Sequence, residues 1–179
     1  TNGGRLYLDV GAHPEYATAE CSALWDLLAQ VRAGSTILAD MAIQANSQLA
    51  AGDVAGEVHL FANNLDSAGN SFGCHENYLL RRSRDFREMA DALIAFFVTR
   101  QIIAGSGALV QDEDGTVRYS LSARAAQMHD ALSGATTRSR PIINTRDEPL
   151  SDSTSYRRLH VIVGDTNIAE PTTALKVAS

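Results

Sequence analysis

The sequence predicts an α+β domain. Short runs in which apolar and polar residues alternate, or in which β-branched residues cluster, are interleaved in irregular order with two longer stretches of helical periodicity. Composition agrees, since 179 residues that are 45% hydrophobic and 20% charged fit one globular domain with a sizeable core. The same figures exclude collagen-like, low-complexity and mainly disordered chains.

The first strand spans Gly4 to Val10. Its period of two puts Arg5, Tyr7 and Asp9 on one face and Leu6, Leu8 and Val10 on the other, which assigns the apolar face to a core under helices. Ser22 to Ala51 reads as a helix with a break near Gly34-Ser35. A second strand is expected over Val58 to Leu65, followed by a turn at Asn63 to Asn70 rich in Asn, Asp and Gly, and a third over His75 to Leu80. Phe86 to Ala104 is a helix whose Phe86, Met89, Leu93 and Phe97 form one apolar stripe, with Gly105 as its stop. Asp112 to Gly115 reads as a hairpin turn, Arg158 to Gly164 as a fourth strand and Thr172 to Ser179 as a helix. With no repeat, linker or shift of composition, residues 1–179 are expected to form a single domain. An opening without methionine and a final helix without a stop signal mark the chain as a piece of a longer protein.

Fifteen Lys and Arg against 21 Asp and Glu give a net charge of -6, so the chain as a whole lacks the positive field that holds nucleic acid or an anionic membrane. No leader and no bilayer-length apolar run is present, and Cys21 and Cys74 cannot build a disulfide framework, which points to a reducing cytoplasm. A phosphate loop, a Gly-x-Ser-x-Gly elbow and a Cys-x-x-Cys pair are missing. Gly105-Ser106-Gly107 lacks the third glycine of a dinucleotide fingerprint. A bound nucleotide is therefore expected on a sheet face.

Four groups of residues can carry chemistry. The Arg5, Tyr7, Asp9 row offers a cation, a phenol and a carboxylate within reach of one phosphate-and-metal-sized ligand. His13, Glu15, Thr18 and Glu20 follow at once, a density of oxygen ligands that suits Mg²⁺ and a nucleotide. Around Gly73-Cys74-His75-Glu76-Asn77-Tyr78, the Cys-His pair suggests a nucleophile, but no neighbouring residue in the sequence is electropositive enough to lower the thiol pKa. Arg138, Arg140, Arg146, Arg157 and Arg158 suggest an anion-binding wall, with Asp147 and Glu148 as possible structural partners.

Four motifs together closely resemble the Pup ligase and deamidase family: Gly4 to Gly11 with His13-Pro14-Glu15-Tyr16, Gly73 to Tyr78, Arg140 to Pro149, and Arg157 to Asp165. The resemblance implies the central part of a glutamine-synthetase-like catalytic domain, with ATP and Mg²⁺ on the concave face of a curved antiparallel sheet covered by helices. It implies an ATP-dependent Pup–protein ligase that phosphorylates the C-terminal glutamate of the small, disordered, acidic protein Pup. The activated glutamate is then joined to a substrate lysine, which marks proteins for the proteasome. Asp9 matches the catalytic aspartate, Tyr7 and Glu15 match Mg²⁺ positions, and Arg5 and Thr18 match ATP contacts. The alternatives are the depupylase and deamidase of the same fold, or a fragment that binds nucleotide or Pup without catalysis. Val10-Gly11 after Asp9 and the run Ala135 to Arg140 favour the ligase branch.

The chain departs from the family pattern at Leu150, Ala126 and Gln127, where the family tends to carry His, Asp and His. The family's N-terminal glutamate-rich strand and smaller C-terminal domain are also absent from this chain, so the fragment by itself is not expected to be a complete ligase.

Overall fold

The computed structural model describes residues 2–82, 85–135, 140–164, 166 and 170–179, the last segment by its backbone alone at 170–172. Contacts group the chain into two compact units, 1–62 and 63–177.

In the first unit, β1 (Arg5–Asp9) pairs antiparallel with β2 (His13–Ala17). The turn between them closes with an Ala12 N–H to Asp9 carbonyl bond of 3.0 Å. Gly11 at φ 86° and Ala12 at φ 61° lie in the left-handed region that lets so short a connection reverse the chain. Strand β2 is not among the strands expected from the sequence, since Pro14 within it interrupts the strand pattern. A two-stranded ribbon uses only alternate N–H groups for its ladder, so a proline opposite Leu8 is tolerated.

Helix α1 (Leu24–Ala51) runs unbroken through Gly34. The expected break is corrected by packing: Gly34 is buried, and a Cβ there would stand 2.4 Å from Cδ1 of Tyr16. The glycine makes room for an aromatic ring, and the surrounding helix-forming residues absorb its cost of about 1 kcal/mol. The Tyr16 hydroxyl then donates to Gln30 Oε1 at 3.0 Å. The expected strand at Val58 to Leu65 does not form either; Leu65 alone makes an isolated bridge, to Ser71. Asn46 instead takes up both backbone groups of Val58, accepting from its N–H at 2.6 Å and donating to its carbonyl at 3.0 Å. Those side-chain bonds replace the strand partner that the segment lacks.

The second unit is built on a four-stranded sheet in the order β3 (Glu76–Arg81), β8 (Tyr156–Val161), β7 (Pro141–Asn144), β6 (Asp130–Ser133). Its β3–β8 and β7–β8 pairs are antiparallel, as expected, while β6 and β7 run parallel. Helix α2 (Phe86–Ala104) matches the expected range and lays Ala90 and Phe97 on Ile143, Leu159, Val161 and Val163, with Phe86 and Leu93 at the margin. Strands β4 (Ala108–Gln111) and β5 (Val117–Ser120) form the hairpin announced by Asp112 to Gly115. Helix α3 (Glu170–Ala178) closes the chain.

Candidate functional site

Register brings two polar rows together on the β1–β2 hairpin. Tyr7 lies opposite Glu15 and Asp9 opposite His13, and directly opposed residues share a face. Arg5, Tyr7, Asp9, His13 and Glu15 therefore stand on one side of a single ribbon, and Thr18 follows directly after β2. The Tyr7 hydroxyl donates to Glu15 Oε1. That bond, with burial and the negative charges of Glu15 and Asp9, pushes the Tyr7 phenol up to about 12, so it stays protonated. The Arg5 guanidinium lies 5.0 Å from the centre of the Tyr7 ring, a cation–π distance. His13 is turned toward the backbone, with Nδ1 3.1 Å from the Val10 carbonyl.

Asp9 is exposed and does not enter an apolar core. The other face corrects the sequence reading: Leu6, Leu8 and Val10 are 38%, 69% and 89% exposed. Alternation dictates which residues share a face, but only tertiary packing decides what covers it, and on this ribbon the apolar row is not enclosed by helices.

In the second unit the arginine run divides. Successive residues of β8 point to opposite faces. Arg157 lies over the Phe86 ring at 3.3 Å, whereas the Nε of Arg158 donates to Asn77 Oδ1 at 2.7 Å and its Nη1 is 3.8 Å from Glu148. Asp147 pairs with Arg82 at 2.6 Å, which puts both acidic neighbours of the run in structural contacts. Arg140 donates to the Ser71 carbonyl at 3.4 Å, and Arg146 is exposed. Arg138, with the rest of Thr136 to Ser139, and Asp165 lie outside the described residues. On the Arg158 face His160 is 4% exposed, its Nε2 lying 3.1 Å from Nδ1 of His75. Burial, then Arg158, His75 and Arg146, lowers its pKa to about 4.

Sequence reasoning missed three buried cations. Arg100 grips Glu76 with two bonds, at 2.6 and 3.0 Å, while Lys176 and Arg124 are 7% and 1% exposed. One signal was available: Arg100 falls three residues after Phe97 on the apolar stripe of α2, where a charge needs a partner. Of the departures from the family pattern, Ala126 and Leu150 are exposed, and Gln127 Oε1 is buried without a hydrogen-bond partner. Among the described residues no group of three or more His, Cys, Asp or Glu is placed to hold a metal ion.

The Pup-ligase protein family profile matches residues 1–179, the whole chain. The chain belongs to this family. A Pup–protein ligase of Jonesia denitrificans is 59% identical over 178 residues, covering 99% of this chain, and one of Saccharomonospora viridis is 58% identical over 179. The chain spans 39% of the length of each. Among solved structures, a Pup ligase PafA in complex with ADP matches with a TM-score of 0.85 at 54% identity, over 98% of this chain and 39% of that one. The complex of Pup with its ligase PafA matches at 0.87 and 52%, over 98% of this chain and 35% of that one. The α+β architecture is thus that of a segment of the Pup-ligase fold. No helix among the described residues is long and apolar enough to cross a membrane.

Proposed function

We propose that this chain carries the nucleotide and metal face of an ATP-dependent Pup–protein ligase. The observation that carries this reading is the hairpin itself: Arg5, Tyr7, Asp9 and Glu15 converge on one ribbon face, with Thr18 next to it, in a chain 59% identical to a Pup–protein ligase. The substrates are Pup, through its C-terminal glutamate, and lysine-bearing proteins. The cytoplasmic setting, consistent with two cysteines outside any disulfide, and the assignment of residues 1–179 to one glutamine-synthetase-like catalytic domain belong to the same proposal.

The donor set fits a hard cation and a phosphate chain. Glu15 and Tyr7 offer oxygens for Mg²⁺, Glu15 as an anion and Tyr7 as a neutral phenol that orients it. Arg5 and Thr18 offer N–H and O–H donors to nucleotide phosphates or sugar. When bound, Mg²⁺ and ATP supply charge neutralisation and the phosphoryl group that activates the glutamate side chain. The attacking lysine must lose a proton, since an ammonium has no lone pair and a reference pKa of about 10.4 leaves little free amine at neutral pH. Asp9, on the same face, accepts that proton and orients the amine, a contribution of roughly 10² to 10⁴ in rate.

Two substitutions in the full-length enzyme separate these roles. Asp9→Asn should abolish ligation of Pup to a lysine substrate while leaving ATP affinity within about twofold. Parallel loss of ATP binding would make Asp9 a metal ligand instead. Glu15→Ala should weaken Mg²⁺-dependent ATP binding, and an unchanged titration curve counts against its metal role. Ammonia released from glutamine-ended Pup, without ligation, would assign the protein to the deamidase branch.

A further inference from the structure

Cys74 is half-buried just ahead of β3, and Nζ of Lys176 on α3 lies 3.2 Å from its Sγ although 102 residues separate them in sequence. Lys176 is held in place, donating to the Gly164 carbonyl at 3.0 Å and standing 3.8 Å from Glu76 Oε1. A second cation is near. A charge on Cys74 acts on the guanidinium of Arg124, whose Nη2 is buried without a hydrogen-bond partner. The side chain of Arg124 also borders Gly164, its Cδ 3.0 Å from where a Cβ would stand. The electropositive surroundings that the sequence around Cys74 does not display are therefore assembled by the fold, and such surroundings favour the reactive thiolate. Cys21 provides the contrast: it is also half-buried, but its Sγ donates to a backbone oxygen, the Ala19 carbonyl, at 3.3 Å.

We propose that Cys74 and Lys176 form a reversible, peroxide-sensitive cross-link. The Cys74 thiolate attacks one oxygen of hydrogen peroxide and the O–O bond breaks, leaving a sulfenic acid and hydroxide. The hydroxide takes a proton from the Lys176 ammonium, giving water and a neutral amine. The amine lone pair then attacks sulfur, the S–O bond breaks, and the departing hydroxyl leaves as water with a proton from nitrogen. Sulfur has lost two electrons, one peroxide has become two waters, and an S–N bond joins α3 to the segment before β3. Condensation of a sulfenic acid with nitrogen is established chemistry, and an external thiol reverses it by attack on sulfur. The starting separation is already a contact distance, so only side-chain movement is needed.

The test treats the full-length protein with hydrogen peroxide, digests it and analyses the peptides by mass spectrometry. A linked pair of peptides containing Cys74 and Lys176, lighter by two hydrogens than their sum and separated by dithiothreitol, is the expected result. Lys176→Arg keeps the cation but removes the amine, so oxidation should stop at the sulfenic acid, trapped by dimedone at Cys74 and not at Cys21. Cys74 recovered as a thiol under conditions that oxidise Cys21 would overturn the proposal. So would its conversion in the unsubstituted protein to sulfinic or sulfonic acid with no linked peptide. The decisive reading comes from the unsubstituted protein and does not depend on a variant folding.

Discussion

Tyr7 and Gly34 show how single side chains acquire roles that residue type alone does not assign. A phenol facing a carboxylate across a ribbon is a donor, and its proton becomes harder to remove, because the tyrosinate would face Glu15 and Asp9. In an alkaline ultraviolet titration, the phenol lost in Tyr7→Phe should be one that ionises near pH 12 in the parent protein. The variant should also lose about 1 kcal/mol of stability in chemical denaturation, the ordinary net value of one hydrogen bond. At Gly34 the usual rule for mid-helix glycine reverses. Gly→Ala in an open helix stabilises by about 1 kcal/mol, but here the new methyl meets the Tyr16 ring at 2.4 Å. Gly34→Ala should therefore destabilise, by about 1 to 3 kcal/mol, the usual cost of overpacking.

At the level of elements, one carboxylate joins three pieces of the second unit. Glu76 on β3 receives two bonds from Arg100 on α2, stands 3.8 Å from Lys176 on α3, and accepts from the Tyr78 hydroxyl at 2.8 Å. Burial pushes its pKa up, but Arg100, Lys176 and Tyr78 together hold it below the usual carboxylate range. Neutralising Glu76 would leave the side chain of Arg100, 1% exposed, without its carboxylate. Glu76→Gln should thus cost about 3 to 5 kcal/mol, as for other broken buried pairs, read as a lower denaturant midpoint. The α2 range and the β4–β5 hairpin turn were legible in sequence because a period of 3.6 and an Asp-Gly turn are local properties. Strands β6 and β7 were not legible: each has only four residues, and they are recognisable only once paired.

Across the whole molecule, the displaced histidine and carboxylate titrations act in one direction. His160 is neutral in the folded protein down to about pH 4, whereas an unfolded histidine binds its proton near pH 6.5. Between those values the unfolded chain takes up more protons, so this contribution to stability is complete above pH 6.5 and is lost as pH falls toward 4. The depressed carboxylates, Glu76, Asp147 and Asp152 among them, add a second loss below about pH 4, with Asp152 holding its charge to about 2. The denaturant midpoint should fall in two stages with acidification. In His160→Gln the upper stage should be absent, and a profile identical to the parent's would refute the assignment.

By itself the sequence determined the class of fold, the family and which residues of β1 share its polar face, because each rests on local order: periodicity, motif spacing and the alternation of Arg5, Tyr7 and Asp9. Tertiary structure decided the partnerships. It set Glu15 against Tyr7, made Gly34 a seat for Tyr16, sent Arg157 and Arg158 to opposite faces and left Leu8 exposed. It also carried Lys176 across 102 residues to Cys74. The physical reason is that propensity and periodicity act over a few neighbouring residues. The field at a thiol or a phenol and the cover over an apolar row are instead set by groups that folding brings close, wherever they lie in the chain.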